Sequence, residues 1–337
     1  MGGKKSVMKY KSFVVTKRGG LEVLQIVEND LRLPLAGEAR IRILATPVCQ
    51  DDVAVRLGNR PFLAKTPFVP GYSILGVVDA IGEGVTQVAV GERVAALTNF
   101  GGHAEYIYLG EEMLAHVPAT LDPAEAVVLI LNYLVAYQIL HRVAQVKPGD
   151  RTLIIGASGG VGTAFLQLGK LAGIKMYGLA SRSKHSTLAE LGAIPIDYHT
   201  QDFVAVIREA EPDGIDFVFN GMGEEYFNRS LAVLRHGGTL VHYGAPQSFS
   251  HFLLLLAELV LFNLLPNGKK IEGYGTHRLG IDLFKQDWGA LFKLLEEGKI
   301  KPIIAGKYPI LEAAQAYALL ESGQVNGNVV LLAPELL

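Results

Sequence analysis

DRTLIIGASGGVGTAFLQLGKLAGIKMYGLASRSK, residues 150–184, divides into a strand, a turn, a helix and a second strand. Thr152 to Ile155 is a short apolar run with the character of a buried parallel strand. Gly156, Gly159, Gly160 and Gly162 follow at once, and the helix is expected over Thr163 to Ala172. Glycines serve a turn of this kind in three ways: one permits the sharp bend, one lets backbone N–H groups approach a pyrophosphate, and one lets helix and strand pack closely. The helix start adds unpaired donors and the positive end of a dipole. The same spacing also fits a tight turn that binds nothing. The second strand, Lys175 to Ala180, arrives at the distance a dinucleotide fold requires, and the position at its end carries chemical information. An acid there would accept hydrogen bonds from the ribose of NAD, whereas this chain reads Ser181, Arg182, Ser183, Lys184. A hydroxyl and two cations suit the 2′-phosphate of NADP through charge-assisted hydrogen bonds; the alternative is a solvated basic loop.

The chain has 337 residues, half of them hydrophobic, and this length suggests two domains. Its formal net charge of −2 gives no basis for a nucleic-acid partner. Glycines and prolines are dispersed, without repeats or low-complexity tracts. Cys49 is the one cysteine, so an internal disulfide and a four-cysteine zinc site are both excluded, and a cytoplasmic setting is expected. The opening Met1 to Ser6 fits a loose myristoylation pattern with Lys4, Lys5, Lys9 and Lys11 nearby, but membrane association is not the expected state. The apolar run Phe252 to Leu265 contains Glu258 and Asn263 and is too short to span a bilayer, which leaves a buried or interfacial helix.

Before the glycine stretch the chain alternates β-branched runs with turn residues. Strands are expected at Ser12 to Thr16, Glu22 to Val27, Ala39 to Ala45, Gly76 to Ile81 and Arg93 to Leu97, with a brief helix at Val53 to Leu57. Asp122 and Pro123 form the cap and first position of a helix that leads to the dinucleotide unit. After that unit, strands at Ile194 to Tyr198, Gly214 to Asn220, Thr239 to Tyr243 and Lys270 to Thr276 alternate with helices, which implies a parallel sheet covered on both faces. Ligands of such sheets sit at the carboxyl ends of the strands, so Asn220-Gly221 and Gly244-Ala245 are expected in the same crevice as Gly159.

These features together resemble the medium-chain dehydrogenase/reductases, in their zinc-free quinone oxidoreductase branch. The resemblance covers nearly the whole chain. It rests on Asp52-x-x-x-Arg56-x-Gly58, Pro70-Gly71 followed by Gly76-Val77-Val78, Gly91-Glu92-Arg93-Val94, Lys147-Pro148-Gly149-Asp150, the glycine turn, and Gly327 ahead of Val329-Val330-Leu331. Asn132-Tyr133, Ser183-Lys184-His185 and Pro195 to Thr200 are similar to homologues of the vesicle amine transport protein. The resemblance implies a Rossmann doubly wound parallel sheet plus a GroES-like, mostly antiparallel β catalytic domain, whose cleft binds the nicotinamide. The expected boundaries are 1–128 and 277–337 for the GroES-like part and 129–276 for the NADPH-binding part. Gly159, Gly160 and Val161 would then meet the pyrophosphate; Ser181, Arg182, Lys184 and Tyr198 would surround the adenosine phosphate. Cys49, Asn132, Asn220, Gly221, Tyr243, Gly244, Asn326 and Asn328 would line the rest of the cofactor groove. The family usually has lysine where Asn328 stands, which puts a charge contact there in doubt.

Zinc-dependent relatives place a cysteine where Cys49 stands and a Gly-His-Glu after the proline, but here Gly71-Tyr72-Ser73 follows it. A single thiolate does not hold a catalytic zinc, so no metal is expected. His103 reads as a strand cap before it reads as a ligand. Without a Lewis acid, the acceptor must carry its own electron sink, as a quinone or a carbonyl-conjugated alkene does. Tyr72, Tyr133 and water are the candidate proton donors and Asp52 an orienting group; for both tyrosines a structural role is the competing reading. The leading expectation is an NADPH-dependent quinone or enone reductase with a substrate slot partly walled by Phe249 to Leu265. The alternative is an NADPH-binding adaptor or sensor of low or no activity. A Rossmann methyltransferase is disfavoured by the Ser181-Arg182 pair. An exposed last strand, Lys270 to Thr276, predicts a homodimer.

Overall fold

The computed structural model describes residues 8–60, 64–244, 253, 259–264, 266, 268–276 and 280–337. The chain packs as two units, Met1–Leu131 with Ile304–Leu337, and Asn132–Ile303.

The first unit is built on β3 (Glu38–Val48), an 11-residue strand buried along nearly its whole length although it carries Arg40, Arg42 and Thr46. It pairs antiparallel with β4 (Ser73–Ile81), β6 (Tyr106–Gly110) and β15 (Asn328–Leu332). The sheet order is β14-β15-β3-β4-β5-β7, with β14 at Ile304–Pro309, β5 at Arg93–Leu97 and β7 at Ala115–His116. Val329 stands opposite Val48, so the end of the chain completes the sheet begun near its start. A separate hairpin joins β1 (Lys9–Val15) to β2 (Leu24–Asp30). The expected strand over Glu22 to Val27 begins late: Leu21–Val23 is a 3-10 turn, held where the Glu22 carboxylate accepts from the Gly20 N–H. Phe13, Ile41, Ile43, Val53, Ile74, Tyr317 and Leu331 belong to the core of this GroES-like unit.

The second unit holds six strands in the order β10-β9-β8-β11-β12-β13, all parallel. These are β8 (Arg151–Ile155), β9 (Lys175–Ala180), β10 (Ala193–Asp197), β11 (Ile215–Asn220), β12 (Leu234–His242) and β13 (Lys270–Gly273). The order reverses between β8 and β11, which defines the Rossmann switch point. β12 starts earlier than Thr239 because its register against β11 shifts between Ile215 and Phe217, accommodating His236-Gly237-Gly238. Asp122 caps its helix as expected, accepting from the N–H groups of Ala124 and Glu125, and Asp202 caps Phe203–Ala210. Residues 280–303, within the range expected with the GroES-like part, belong to the second unit. The helix Ile281–Glu296 is tied there through Asp287, which binds Gln138 and Arg142.

Among the described residues one helix, Pro123–Val143, is long and apolar enough to cross a membrane by length and composition, but 83% of its apolar window is buried, as in a core helix. Of the Phe252 to Leu265 run, only residues 253 and 259–264 lie among those described, so the expected slot wall falls largely outside them.

At the amino ends of the parallel strands, two buried carboxylates gather three cations. Glu211 accepts from Lys175, the Tyr177 hydroxyl and Arg151, and Asp216 accepts from Arg151 and Arg235. Burial alone would raise both carboxyls, but these hydrogen bonds outweigh it and hold each below its usual range. A depressed carboxyl contributes stability above its unfolded pKa and loses it as pH falls through the folded value. Glu211→Gln is therefore expected to cost about 1–3 kcal/mol at pH 7 and to flatten the acid limb of the stability curve below about pH 4.3. Urea unfolding at a series of pH values reads both effects, and an unchanged acid limb would refute the assignment.

Candidate functional site

The glycine turn sits where β8 delivers the chain to the switch point. Ala157 donates its N–H to the Leu179 carbonyl, tying the turn to the end of β9, and the Gly159 N–H closes onto Gly156. The helix begins at Gly160, not Thr163, with extended Gly159 as its cap. A Cβ at Gly162 would lie 2.2 Å from the Gly156 carbonyl oxygen, so only hydrogen fits there. At Gly159 the nearest atom would be 3.6 Å away, so that face of the turn stays open. The N–H groups of Gly160, Val161 and Gly162 have no helical acceptor, which makes the open face a cradle for an anion.

At the neighbouring strand ends, Ser181 caps a 3-10 turn over Arg182–Lys184. The Ser181 and Ser183 hydroxyls stand 3.3 Å apart. Arg182 is exposed and Lys184 half-buried, and burial holds the Lys184 ammonium below its usual pKa. Tyr198, 45% exposed, lies with its ring 4.1 Å from that of His199. At the end of β11, the buried Asn220 turns its amide into the loop that follows: Oδ1 accepts from the Met222 N–H at 2.9 Å and Nδ2 donates to the Gly223 carbonyl at 2.9 Å. Asn220 thus shapes the loop from within. A Cβ on Gly221 would meet the Tyr243 ring at 2.4 Å, and Gly244 lies within contact of the Gly221 carbonyl, so these three pack together at the ends of β11 and β12. Asn132 and Tyr133 fall in a π-helical turn, Leu129–Tyr133, and Tyr133 is fully buried.

In the first unit Cys49 caps the helix Gln50–Leu57 and is buried, and burial pushes its thiol pKa well up. Asp52, also buried, accepts from the Cys49 N–H at 2.9 Å and from the Gly71 N–H at 2.9 Å. Its orienting role is thus toward backbone, fixing the residue before Tyr72. Gly71 has φ +105° and lies against Gly102, where a Cβ would be 2.5 Å from backbone. Tyr72 is partly exposed, and burial raises its hydroxyl pKa. Asn328 opens β15 and is buried; Asn326, two residues earlier, is half-buried in the turn before it.

The other half of the first motif is structural. Arg56 is fully buried, donating to the Gly19 carbonyl at 2.6 Å and pairing with Glu321 at 2.5 Å. His103 is buried as well, with Nε2 at 3.1 Å from the Pro47 carbonyl and Nδ1 at 3.4 Å from the Tyr317 hydroxyl. Burial lowers its pKa, against the pull of the Asp52 carboxylate. Among the described residues no three His, Cys, Asp or Glu side chains gather as a metal would require. Sequence reasoning missed the Arg56–Glu321 pair and the Gln138–Asp287 contact; the four-residue spacing of Asp52 and Arg56 was the available signal for one buried helix face.

Two family models match the chain: "Alcohol dehydrogenase GroES-like domain" over residues 35–119 and "Zinc-binding dehydrogenase" over residues 191–331. A 2-haloacrylate reductase from a Burkholderia species is 30% identical, over 95% of this chain and 98% of that protein. A pig quinone oxidoreductase is 28% identical, over 94% and 96%, and the human synaptic vesicle membrane protein VAT-1 homolog 29%, over 96% and 86%. Among solved structures, the quinone oxidoreductase from Coxiella burnetii superposes with a TM-score of 0.84 at 26% identity, covering 97% of this chain and all of that one. A mycobacterial protein complexed with NADPH gives 0.82 at 27% identity, covering 96% and 99%. The cradle at Gly159 to Gly162 fits the nicotinamide cofactor of an oxidoreductase, and the chain belongs to the medium-chain dehydrogenase/reductase superfamily, in its zinc-free quinone oxidoreductase branch.

Proposed function

We propose that the protein is an NADPH-dependent reductase of quinones or α,β-unsaturated carbonyls that works without a metal. The end of β9 carries this reading: Ser181, Arg182 and Lys184 stand where an acid would hold the ribose of NADH, so nothing there repels a 2′-phosphate. Gly160, Val161 and Gly162 would hold the pyrophosphate through backbone N–H groups. When bound, the nicotinamide supplies the hydride. The chain's own residues orient the reactants and keep water out, and the conjugated acceptor takes the negative charge onto its oxygen. We assign the following proton to Tyr72, whose raised pKa keeps the hydroxyl protonated at neutral pH. The reductase relatives support an acceptor of this class.

Steady-state assays over a panel of quinones and enones test the reading. Oxidation of NADPH is expected, at a rate unchanged by prolonged dialysis against a chelator. Quenching of NADPH fluorescence without turnover of any acceptor would favour the second reading, a nicotinamide-binding adaptor, for which the similarity to synaptic vesicle membrane proteins speaks. We also propose that the protein is a cytoplasmic homodimer joined along β13, which ends the parallel sheet; light scattering is expected to give twice the mass of the chain.

A further inference from the structure

The buried amide of Gln138 lies in a chain of polar contacts that the chemistry above does not use. Its Oε1 accepts from the Tyr274 hydroxyl at 2.7 Å and its Nε2 donates to Asp287 Oδ2 at 2.8 Å. Arg142 completes the chain, its Nε lying 3.0 Å from the same oxygen and its Nη2 2.5 Å from Oδ1. Gln138 is 0% and Asp287 1% exposed. A leucine would fill the place of Gln138 without any polar group to satisfy, so an arrangement that uses both ends of a buried amide selects one geometry at some cost in stability. The partners also fix which end is oxygen, because a carboxylate can only accept.

The segments joined in this way are those that approach the ligand side of the sheet. Tyr274 follows β13 directly, and its N–H continues the ladder by donating to the His242 carbonyl at 2.9 Å, so it stands at the carboxyl ends of the parallel strands, where ligands bind. Gln138 lies between two π-helical turns, Leu129–Tyr133 and Ile139–Val143, on the helix that carries Asn132 and Tyr133. Six residues separate Asn132 from Gln138, about 9 Å of helix. Such turns are frequent at functional sites, where they re-aim side chains.

We propose that Gln138 is a positioning residue for the nicotinamide cofactor: through Tyr274 on one side and Asp287 and Arg142 on the other, it holds the strand end after β13 against the helix bearing Asn132 and Tyr133. This rests on the reading of the protein as an NADPH enzyme. Tyr274→Phe removes one hydrogen bond and keeps the ring, Gln138→Leu removes both, and the double variant closes a cycle. Dissociation constants for NADPH, separate KM values for NADPH and acceptor, and melting temperatures are measured for all four proteins. Tyr274→Phe is expected to melt within a few degrees of the wild type and to weaken NADPH binding by about fivefold to tenfold, with the acceptor KM unchanged. The double variant should bind NADPH no more weakly than Gln138→Leu alone.

Unchanged NADPH binding in Tyr274→Phe and Gln138→Leu, strictly multiplicative effects, or equal rises in both KM values would overturn the assignment while leaving the cofactor reading intact. So would collapse of the fold in both single variants, which would make the network a folding element only. Absence of NADPH binding by the wild type would instead remove the cofactor reading, and the positioning role with it.

Discussion

Lys184→Ala is expected to weaken NADPH binding roughly 10- to 100-fold and to leave NADH binding within about twofold of the wild type. Hydrogen bonds to charged groups contribute about 1.5–3 kcal/mol, and each 1.4 kcal/mol is a factor of ten. The half-buried setting that lowers the Lys184 pKa also weakens solvent screening of a phosphate beside it. Lys184 must be protonated to bind the anion, so NADPH affinity should decline as pH rises through that lowered pKa, and it should fall with added salt. Ser181→Asp adds the converse: a carboxylate at the end of β9 would accept from ribose hydroxyls and repel the phosphate, so the preference should swing to NADH. Fluorescence titration with both cofactors reads all of these. Equal losses for NADPH and NADH in Lys184→Ala would show that the basic turn reads no phosphate, and the assignment of NADPH would fall.

The parts of this molecule that were legible in its sequence are those whose physics is local. The glycine turn announced itself because a bend, an open anion face and a close helix contact each exclude side chains, as Gly162 does against the Gly156 carbonyl. Asp122 announced its helix because a cap bonds residues two or three positions on. Contacts between distant positions left no such trace. Arg56 and Glu321 are 265 residues apart, and Gln138 and Asp287 are 149 apart, so neither pair could be read from spacing. The second pair joins the helix Ile281–Glu296 to the second unit across that separation. Asn220 shows an intermediate case: its position at the end of β11 suggested the cofactor groove, but the conformation of Met222 and Gly223 turns its amide inward. The Asp52-x-x-x-Arg56 motif was visible as a pattern, while its meaning as a buried pair of anchors needed the fold.

Asp52→Ala should be the most damaging single change to the first unit, costing about 2–5 kcal/mol. The carboxylate is the acceptor for two buried N–H groups, those of Cys49 and Gly71, and each unsatisfied buried donor costs about 1–3 kcal/mol. Asp52→Asn should cost less, because one amide oxygen still accepts while the NH₂ group faces an N–H it cannot bond. Burial raises the Asp52 carboxyl above its usual range, against the pull of His103 and the two N–H groups. A raised folded-state value means that ionised Asp52 carries a folding cost at neutral pH, which is relieved as pH falls through that value. Asp52 therefore opposes Glu211 and Asp216 in acid, and the acid limb of the stability curve should survive in Asp52→Asn while it flattens in Glu211→Gln. Because Gly71 precedes Tyr72, kcat should fall in Asp52→Asn by more than NADPH affinity does, since the glycine cradle lies in the other unit. Chemical denaturation of both variants from about pH 2 to pH 8, with kcat measured at neutral pH, separates these effects. A carboxylate that merely fills space would leave both variants within about 1 kcal/mol of the wild type with kcat intact.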